Sequence, residues 1–550
     1  MEINVLYRDY TSKIILGFTF ISLLLGLTIE VVYRELFESL TKLALTEEYS
    51  YILASLFSIL IVIYLSLRYT GFSYGVRTSK ILASILLATL ALSIYELSLI
   101  DLEHKIQLQS LSFSLFFIGL ILLVYEPNTI GESIPLLTPF LLTPLPARFL
   151  DSLTPVLSRY IGRLVGFITG VRVVETPGFT QLEVATPTGS TIYLSVEVAC
   201  TGIVTVSSII ASLPIIIYML TFSIDKPRRK IAIATASLLT ALIIGIIGNI
   251  VRALIMVYST MWIGVEQAYN LFHYSPSLLY SAISVIAAFK IITKYAKFKS
   301  VFSRVLSKGE VPRITWSYII GVLLVSLVFT SIFTATTIYA SQSTVIYQSI
   351  PIQVGSIYEF IENPEKYLSR EGIEFTTRYY DAFLTRVLGA LAVYRVSLRY
   401  FNEYYTGYIE VVDTPARIHT WQLCLTLQGY NITASWYEQV NNTKIGFIAL
   451  EKQGWRGLLA YTLFPVKISV GRDEYTIYVR VSIMNTGDPR NIAPKTASIL
   501  NSIAGVSIES DNNLLHIFFQ SVYIILVLFV VYMGVLLAWS KLRLKHGGVS

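Results

Sequence analysis

Two ionisable side chains stand together where membrane insertion discourages them. Cys200 lies in Val-Glu-Val-Ala-Cys-Thr-Gly-Ile, Val196 to Ile203, and leads into an apolar stretch that ends near Phe222. Arg252 closes the next apolar stretch, which climbs from Ile231 through Gly-Asn-Ile-Val-Arg, Gly248 to Arg252. His273 follows in Asn-Leu-Phe-His-Tyr-Ser-Pro, just before a third stretch. If the three stretches are consecutive membrane helices, all three residues fall at one outer face, and sequential helices are usually neighbours. A cysteine attacks a carbonyl as the thiolate, and nearby His and Arg lower its pKa. Arg can also stabilise an oxyanion, and His can pass a proton to a leaving amine near neutral pH. Ionisable groups bordering a span are costly and are functional candidates by default. The expected catalytic set is therefore Cys200, Arg252 and His273.

Each residue also has a plainer role open to it. A lone Cys at a helix start serves as a small buried hydrophobe. Arg252 can snorkel to headgroups, although an Arg at an outer helix end opposes the usual orientation bias. His273 can sit at the interface bonded to a backbone carbonyl. Convergence on one face favours the chemical reading. The five His and two Cys are scattered without zinc spacing, so neither metal nor cofactor is expected. No Gly-x-Ser-x-Gly occurs to suggest a serine hydrolase.

The elements that position these residues follow from composition. Of 550 residues 54% are hydrophobic and only 14% charged, whereas soluble domains carry about 25% charge. Ten apolar runs approach the roughly 20 residues that cross a bilayer: about Ile14–Tyr33, Tyr51–Leu67, Ile81–Ile100, Leu111–Tyr125, Ile134–Leu150, Thr201–Phe222, Ile231–Val251, Ser277–Thr293, Trp316–Tyr339 and Leu514–Trp539. The fifth carries Pro135, Pro139, Pro144 and Pro146, breaks that spans tolerate only where protein covers the freed carbonyls. Lys and Arg concentrate in Arg68–Lys80, Asp225–Lys230, Lys294–Arg313 and Lys541–Lys545, while Arg34–Tyr49 and Asp101–Gln109 are mixed or acidic. The positive-inside rule then places both termini in the cytoplasm. The net charge of +7 is mostly inner-face, which argues against a nucleic-acid partner. No P-loop or dinucleotide fingerprint appears in the inner loops.

Two larger pieces lie outside. In Asp151–Val198, Gln181–Thr186 and Thr191–Val198 form a hairpin around Pro187-Thr188-Gly189-Ser190 that delivers Cys200 to the membrane. The second piece, Ala340–Asn513, opens with a helical stretch near Ser356–Tyr367 and continues in strands such as Gly407–Val412, Lys444–Leu450, Leu458–Ile468 and Glu474–Ile483. Asn431-Ile-Thr and Asn441-Asn-Thr are glycosylation sequons, which suit an exported surface. The fold class is a polytopic α-helical membrane protein of about ten spans, N-in and C-in, with an α+β extracytoplasmic domain between the last two. The expected units are 1–110, N-terminal spans; 111–295, catalytic membrane core; 296–340, basic loop and ninth span; 341–512, external domain; and 513–550, last span and basic tail.

Residues from about Leu111 to Lys294 resemble the exosortase/archaeosortase family of membrane cysteine transpeptidases. The resemblance rests on Cys200-Thr201-Gly202, Asn249-Ile-Val-Arg252, His273 and the proline-bearing run Pro139 to Pro146 followed by an amphipathic stretch and a strand pair. It implies that Cys200 attacks a peptide bond near the C-terminal sorting signal of an exported protein, that Arg252 and His273 complete the site, and that a lipid or other amine accepts the product. Partners would be exported proteins with a tripartite tail of motif, hydrophobic span and basic cluster, and a membrane lipid. One departure concerns Glu197: many family members place a glutamate two residues before the Cys, where Val198 stands here. A one-residue shift on a strand turns a side chain to the other face, so Glu197 is given no role. His419-Thr-Trp-Gln-Leu-Cys424 with Gly429-Tyr430 resembles a segment of the domain that accompanies exosortases. The two cysteines, both outside, could also pair as a disulfide. The competing functional classes are a transporter, with Glu30 and Glu96 as its carboxylates in or near spans, and a scaffold that displays the external domain.

Overall fold

The computed structural model describes residues 16, 19–44, 49, 51–65, 78–123, 136–144, 147–175, 180–196, 203–222, 227–264, 267–268, 276–295, 316–343, 350–370, 372–382, 384–385, 390–415, 418, 421, 425, 430–440, 443–452, 454–471 and 473–504. The tenth expected span, Leu514–Trp539, lies outside them. The membrane portion comprises α1 (Thr19–Val31), α2 (Arg34–Ala44), α3 (Tyr51–Leu65), α4 (Thr78–Ile100), α5 (Lys105–Leu122), α6 (Ala147–Thr169), α7 (Ile203–Phe222), α8 (Pro227–Ile263), α9 (Pro276–Tyr295) and α10 (Trp316–Ser343). Among the described residues four helices are long and apolar enough to cross a membrane: Lys80–Leu99, Lys105–Leu122, Arg228–Ile263 and Ile320–Tyr339. Thr19–Val31, Tyr51–Val62 and Ile209–Tyr218 are shorter apolar helices.

These helices share two cores. Residues of α1, α2, α4, α5 and α10 meet around Tyr33, Phe116 and Phe333, where the Phe116 and Phe333 rings stack at 4.3 Å. The Tyr33 hydroxyl, buried among them, is paired with Ser112 Oγ at 2.8 Å, as a buried hydroxyl must be. The second core joins α3, α7, α8 and α9 through Val62, Ala211, Tyr218, Ile233 and Ala288. Helix α3 contributes to both, with Tyr51 and Ile52 in the first and Ala54 and Val62 in the second.

Two expectations for the spans are corrected. No continuous helix covers Ile134–Leu150. A 3-10 helix, Thr138–Leu142, is followed by the separate helix α6 from Ala147. The prolines explain this, since each removes an N–H donor and clashes with the preceding turn. The short helix is packed against α3, α5 and α7, so its irregular backbone is covered by protein. The seventh helix does not stop at Val251 but continues to Ile263, 37 residues in all, or about 55 Å.

A three-stranded antiparallel sheet lies beside α6, with β1 (Arg172–Glu175), β2 (Thr180–Ala185) and β3 (Thr191–Val196) in the order β1-β2-β3. The expected hairpin is β2–β3, with Ala185 opposite Thr191. After α10 comes a domain with β4 (Ile350–Gln353), α11 (Ile357–Glu362), α12 (Pro364–Leu368), β5 (Ile373–Tyr380), β6 (Ala392–Tyr400), β7 (Glu403–Val412), β8 (Asn431–Val440), β9 (Thr443–Lys452), β10 (Trp455–Val470), β11 (Asp473–Thr486) and α13 (Pro489–Ala504). Its eight-stranded sheet runs β5-β6-β7-β11-β10-β9-β8, with β4 parallel to β10. Leu500, Ile503 and Ala497 of α13 bury against one face of it. The domain is thus both helical and strand-rich, in the α+β pattern.

The domain is clamped onto the membrane helices by polar groups from distant parts of the chain. Lys105 Nζ, at the start of α5, donates to Glu35 Oε1 at 2.7 Å and to the Tyr478 hydroxyl at 3.0 Å. Tyr478 in turn donates to Glu35 Oε1 at 2.6 Å. Beside them Leu102 is buried with Val412 and Tyr478, and Lys444 reaches Asp101 at 3.2 Å. Asp101 also holds His104 at 3.0 Å. Burial alone would raise the Asp101 carboxyl; the hydrogen bond with His104 and the charge of Lys444 overcome it and hold the group at about 2. That hydrogen bond raises His104 above its ordinary value.

Lys105→Ala leaves the Glu35 carboxylate and the Tyr478 hydroxyl without their cation. The expected loss is about 1–3 kcal/mol, measured as a lower thermal midpoint and as faster amide exchange in residues 101–105. The pH dependence follows from the signs. A raised histidine contributes fully below its unfolded value of about 6.5, and the contribution disappears as pH rises through the folded value. A lowered carboxylate contributes above about 3.9 and loses its effect as pH falls towards its folded value. The stability difference between the wild type and His104→Gln should therefore be largest near pH 5–6 and shrink towards pH 8, in thermal melts at matched ionic strength.

Candidate functional site

Strand β3 ends at Val196 and α7 begins at Ile203, so Cys200 falls in the intervening segment, outside the described residues. His273, three residues before α9, lies outside them as well, as do Glu197, Val198, His419 and Cys424. Of the expected catalytic set, Arg252 is described. Sequence reasoning placed it at the end of a span; it stands instead within α8, about 38 Å along the helix from Pro227. It is 1% exposed and heads the largest fully buried side chains.

Helices α7, α8 and α9 all pack on one another, and α8 runs antiparallel to both neighbours. Ile233, near the start of α8, shares a core with Tyr218, near the end of α7, and with Ile292, near the end of α9. At the other end the contact is closer. A Cβ placed on Gly248 of α8 would stand 2.5 Å from Cγ of Tyr280 of α9, so the tyrosine ring lies directly on the glycine backbone. Only a residue without a side chain permits that approach, and small residues give membrane helices their closest packing. Arg252 is one turn beyond Gly248 on the same face of α8. Pro276 is one turn before Tyr280 at the start of α9. The first turn of α9 therefore lies level with Arg252. The short connection between α7 and α8, four residues, likewise sets the start of α7 level with the same part of α8, since Ile203 and Gly248 are about equally far from it.

Beyond Arg252 the helix is roofed. Ala253 and Val257 are buried with Ile161 and Val165 of α6 and Leu182 and Val184 of β2. The layer that ends in β3 thus rests on the segment of α8 that follows the arginine. Burying a guanidinium demands compensation worth several kcal/mol, and this surround excludes water from it. Sequence reasoning gave no role to Asn249, one turn below Arg252 on the same face. It is 1% exposed, and neither atom of its amide has a hydrogen-bond partner among the described residues. The signal that could have found it is spacing: a polar residue at i−3 from an arginine in an otherwise apolar helix shares its face. Of the two carboxylates considered for transport, Glu30 forms an exposed pair with Arg34 at 3.4 Å and Glu96 is buried in α4. Among the described residues no three His, Cys, Asp or Glu side chains group as metal ligands.

Residues 43–289 match the family model of the transmembrane exosortases. The matched stretch opens at the end of α2 and runs into α9, taking in Arg252, the Gly248–Tyr280 contact, the proline-bearing 3-10 helix and the whole layer of α6 and its sheet. Over that stretch the chain is similar to the transmembrane exosortases, a family of membrane proteins. Exosortases are cysteine transpeptidases, and a general role in protein sorting is what the match supports. The match begins well before Leu111, so α3 and α4 belong to the family's unit; it ends before α10 and the domain that follows. No curated protein and no solved structure matches the chain.

The close contact at Gly248 makes a direct prediction. Gly248→Ala forces α8 and α9 apart or displaces the ring, costing about 1–3 kcal/mol of overpacking. Pairing it with Tyr280→Ala should recover much of the thermal midpoint lost in the single variant. Equal losses in the single and double variants would show that this contact does not set the helix spacing.

Proposed function

We propose that the chain is a membrane-embedded cysteine transpeptidase that cuts the C-terminal sorting signals of exported proteins and transfers them to an amine acceptor. Cys200, Arg252 and His273 carry the reaction. The observation that supports this most is the level of the helix ends: the segments that bear Cys200 and His273 lead into α7 and α9, whose first turns stand level with the buried Arg252. The match to exosortases over residues 43–289 supports the reaction class.

In the first step the Cys200 thiolate attacks the carbonyl carbon of the scissile peptide bond. A carbon–sulfur bond forms, and charge gathers on the carbonyl oxygen, where the Arg252 guanidinium stabilises it. The carbon–nitrogen bond then breaks, and His273 gives its proton to the departing amine of the tail. In the second step a lipid or other amine attacks the thioester, loses a proton to His273 and releases the Cys200 thiolate. Water in place of the amine gives hydrolysis, so exclusion of water from the pocket decides between transfer and cutting. The active site and the external domain face the cell exterior. That orientation is supported by the domain's docking on residues 35 and 101–105, from loops expected on that side.

Cys200→Ala and Cys200→Ser should each lower processing of tail-bearing proteins by on the order of a thousandfold or more, at unchanged levels of the enzyme in the membrane. Arg252→Lys keeps the charge but not the planar fork and should slow thioester formation and turnover together, read by hydroxylamine trapping. Normal processing in both Cys200 variants would discard the enzyme reading in favour of a transporter or scaffold, which so small a change does not disturb.

A further inference from the structure

Helix α6 is amphipathic in an unusual way, with two buried faces and an apolar face left open. Ile161 and Val165 are buried towards α8. Gly162 and Gly166 lie against the sheet, where added Cβ atoms would come within 2.6 Å of Thr180 and 2.2 Å of Val173. Ser158 accepts a hydrogen bond from the Thr180 N–H at 2.8 Å. Opposite the sheet, Tyr160, Leu164, Phe167 and Ile168 recur at helical spacing and are 69%, 40%, 86% and 46% exposed. A contiguous apolar stripe of this kind marks a surface that meets lipid or protein.

The course of α8 indicates which. Leu239, Ile243, Ile246 and Ile247 line one flank of it and are exposed, as residues facing acyl chains are. Higher on the same flank, at the continued spacing of three and four, Leu254, Val257 and Met261 are instead packed against the α6 layer. Helix α6 therefore sits directly above the lipid-facing flank of α8. Its height fits as well. Counted from Ile231, the first residue after Arg228, Arg229 and Lys230, about 30 Å of hydrocarbon is used up near residue 251. Helix α6 packs on residues 253–261, the next 10–15 Å or so, which is the depth of the headgroups. Tyr258 and Trp262 are exposed at that level, in keeping with the aromatic belts at membrane interfaces. Arg159 and Arg163 flank the stripe, both more than half exposed while paired with Glu175.

We infer that α6 lies in the plane of the membrane–water interface on the Arg252 side, with Tyr160, Leu164, Phe167 and Ile168 seated in the lipid of the bilayer that the spans cross. Amphipathic helices of this type bury their apolar face about 5–10 Å into the headgroup and acyl boundary. Because α6 carries the sheet, this seating fixes the height of β3 above the hydrocarbon.

The test is site-specific photo-crosslinking. Benzoylphenylalanine replaces Tyr160, Leu164 or Phe167 in the full-length chain, and Tyr193, exposed on β3, serves as the control. The chain is reconstituted in vesicles of phosphatidylglycerol and phosphatidylcholine, irradiated and analysed by mass. The expected result is phospholipid adducts at the three stripe positions, at least fivefold above those at Tyr193. Equal lipid labelling at Tyr193, or adducts of twice the chain mass at the stripe, would overturn the proposal, the latter by showing that a second copy covers this face.

Discussion

The constraint on which the membrane core depends is the burial of one cation. Arg252 is 1% exposed within the long apolar helix α8. A guanidinium has no neutral form at ordinary pH, so it cannot escape the cost of burial by losing a proton. The surrounding structure must hold it. The Tyr280 ring pressed on Gly248 brings α9 close, α7 follows from its short connection, and α6 with its sheet covers the helix beyond. Each of these features also positions a segment that carries another expected catalytic residue.

Much of this was legible in the sequence. The β2–β3 hairpin falls within two residues of its expected bounds because a turn-rich Pro-Thr-Gly-Ser separates two alternating runs. The strands around Gly407, Lys444, Leu458 and Glu474 are found in β7, β9, β10 and β11 for the same reason. Arg252 announced itself by type alone. What misled was using charge and proline as ends. Arg252 stopped the apolar run at Val251, yet its buried side chain lets the helix continue to Ile263. The run Ile134–Leu150 looked apolar enough to span, but its prolines divide it between a 3-10 turn and the start of an amphipathic helix. Hydropathy averages over such a division; hydrogen-bond donors do not.

Other features had no local signal at all. Tyr478 and Glu35 are 443 positions apart, and each reads as an ordinary surface residue in its own segment. Their meeting with Lys105 depends on how a strand in one domain lies over a helix start in another. The parallel pairing of β4 with β10 is equally non-local. Asn249 was visible in the motif that carries Arg252 but drew no role, because an isolated amide in a helix has many harmless uses until its burial is known.

The division of the membrane helices into two cores has a mechanical consequence. The domain that follows α10 rests on α2 and the start of α5, both in the first core, while Arg252 belongs to the trio α7, α8 and α9. Helix α3 spans the divide, presenting Tyr51 and Ile52 to one side and Ala54 and Val62 to the other. A load on the sheet of that domain reaches the arginine's neighbourhood through this helix and the 3-10 turn packed against it.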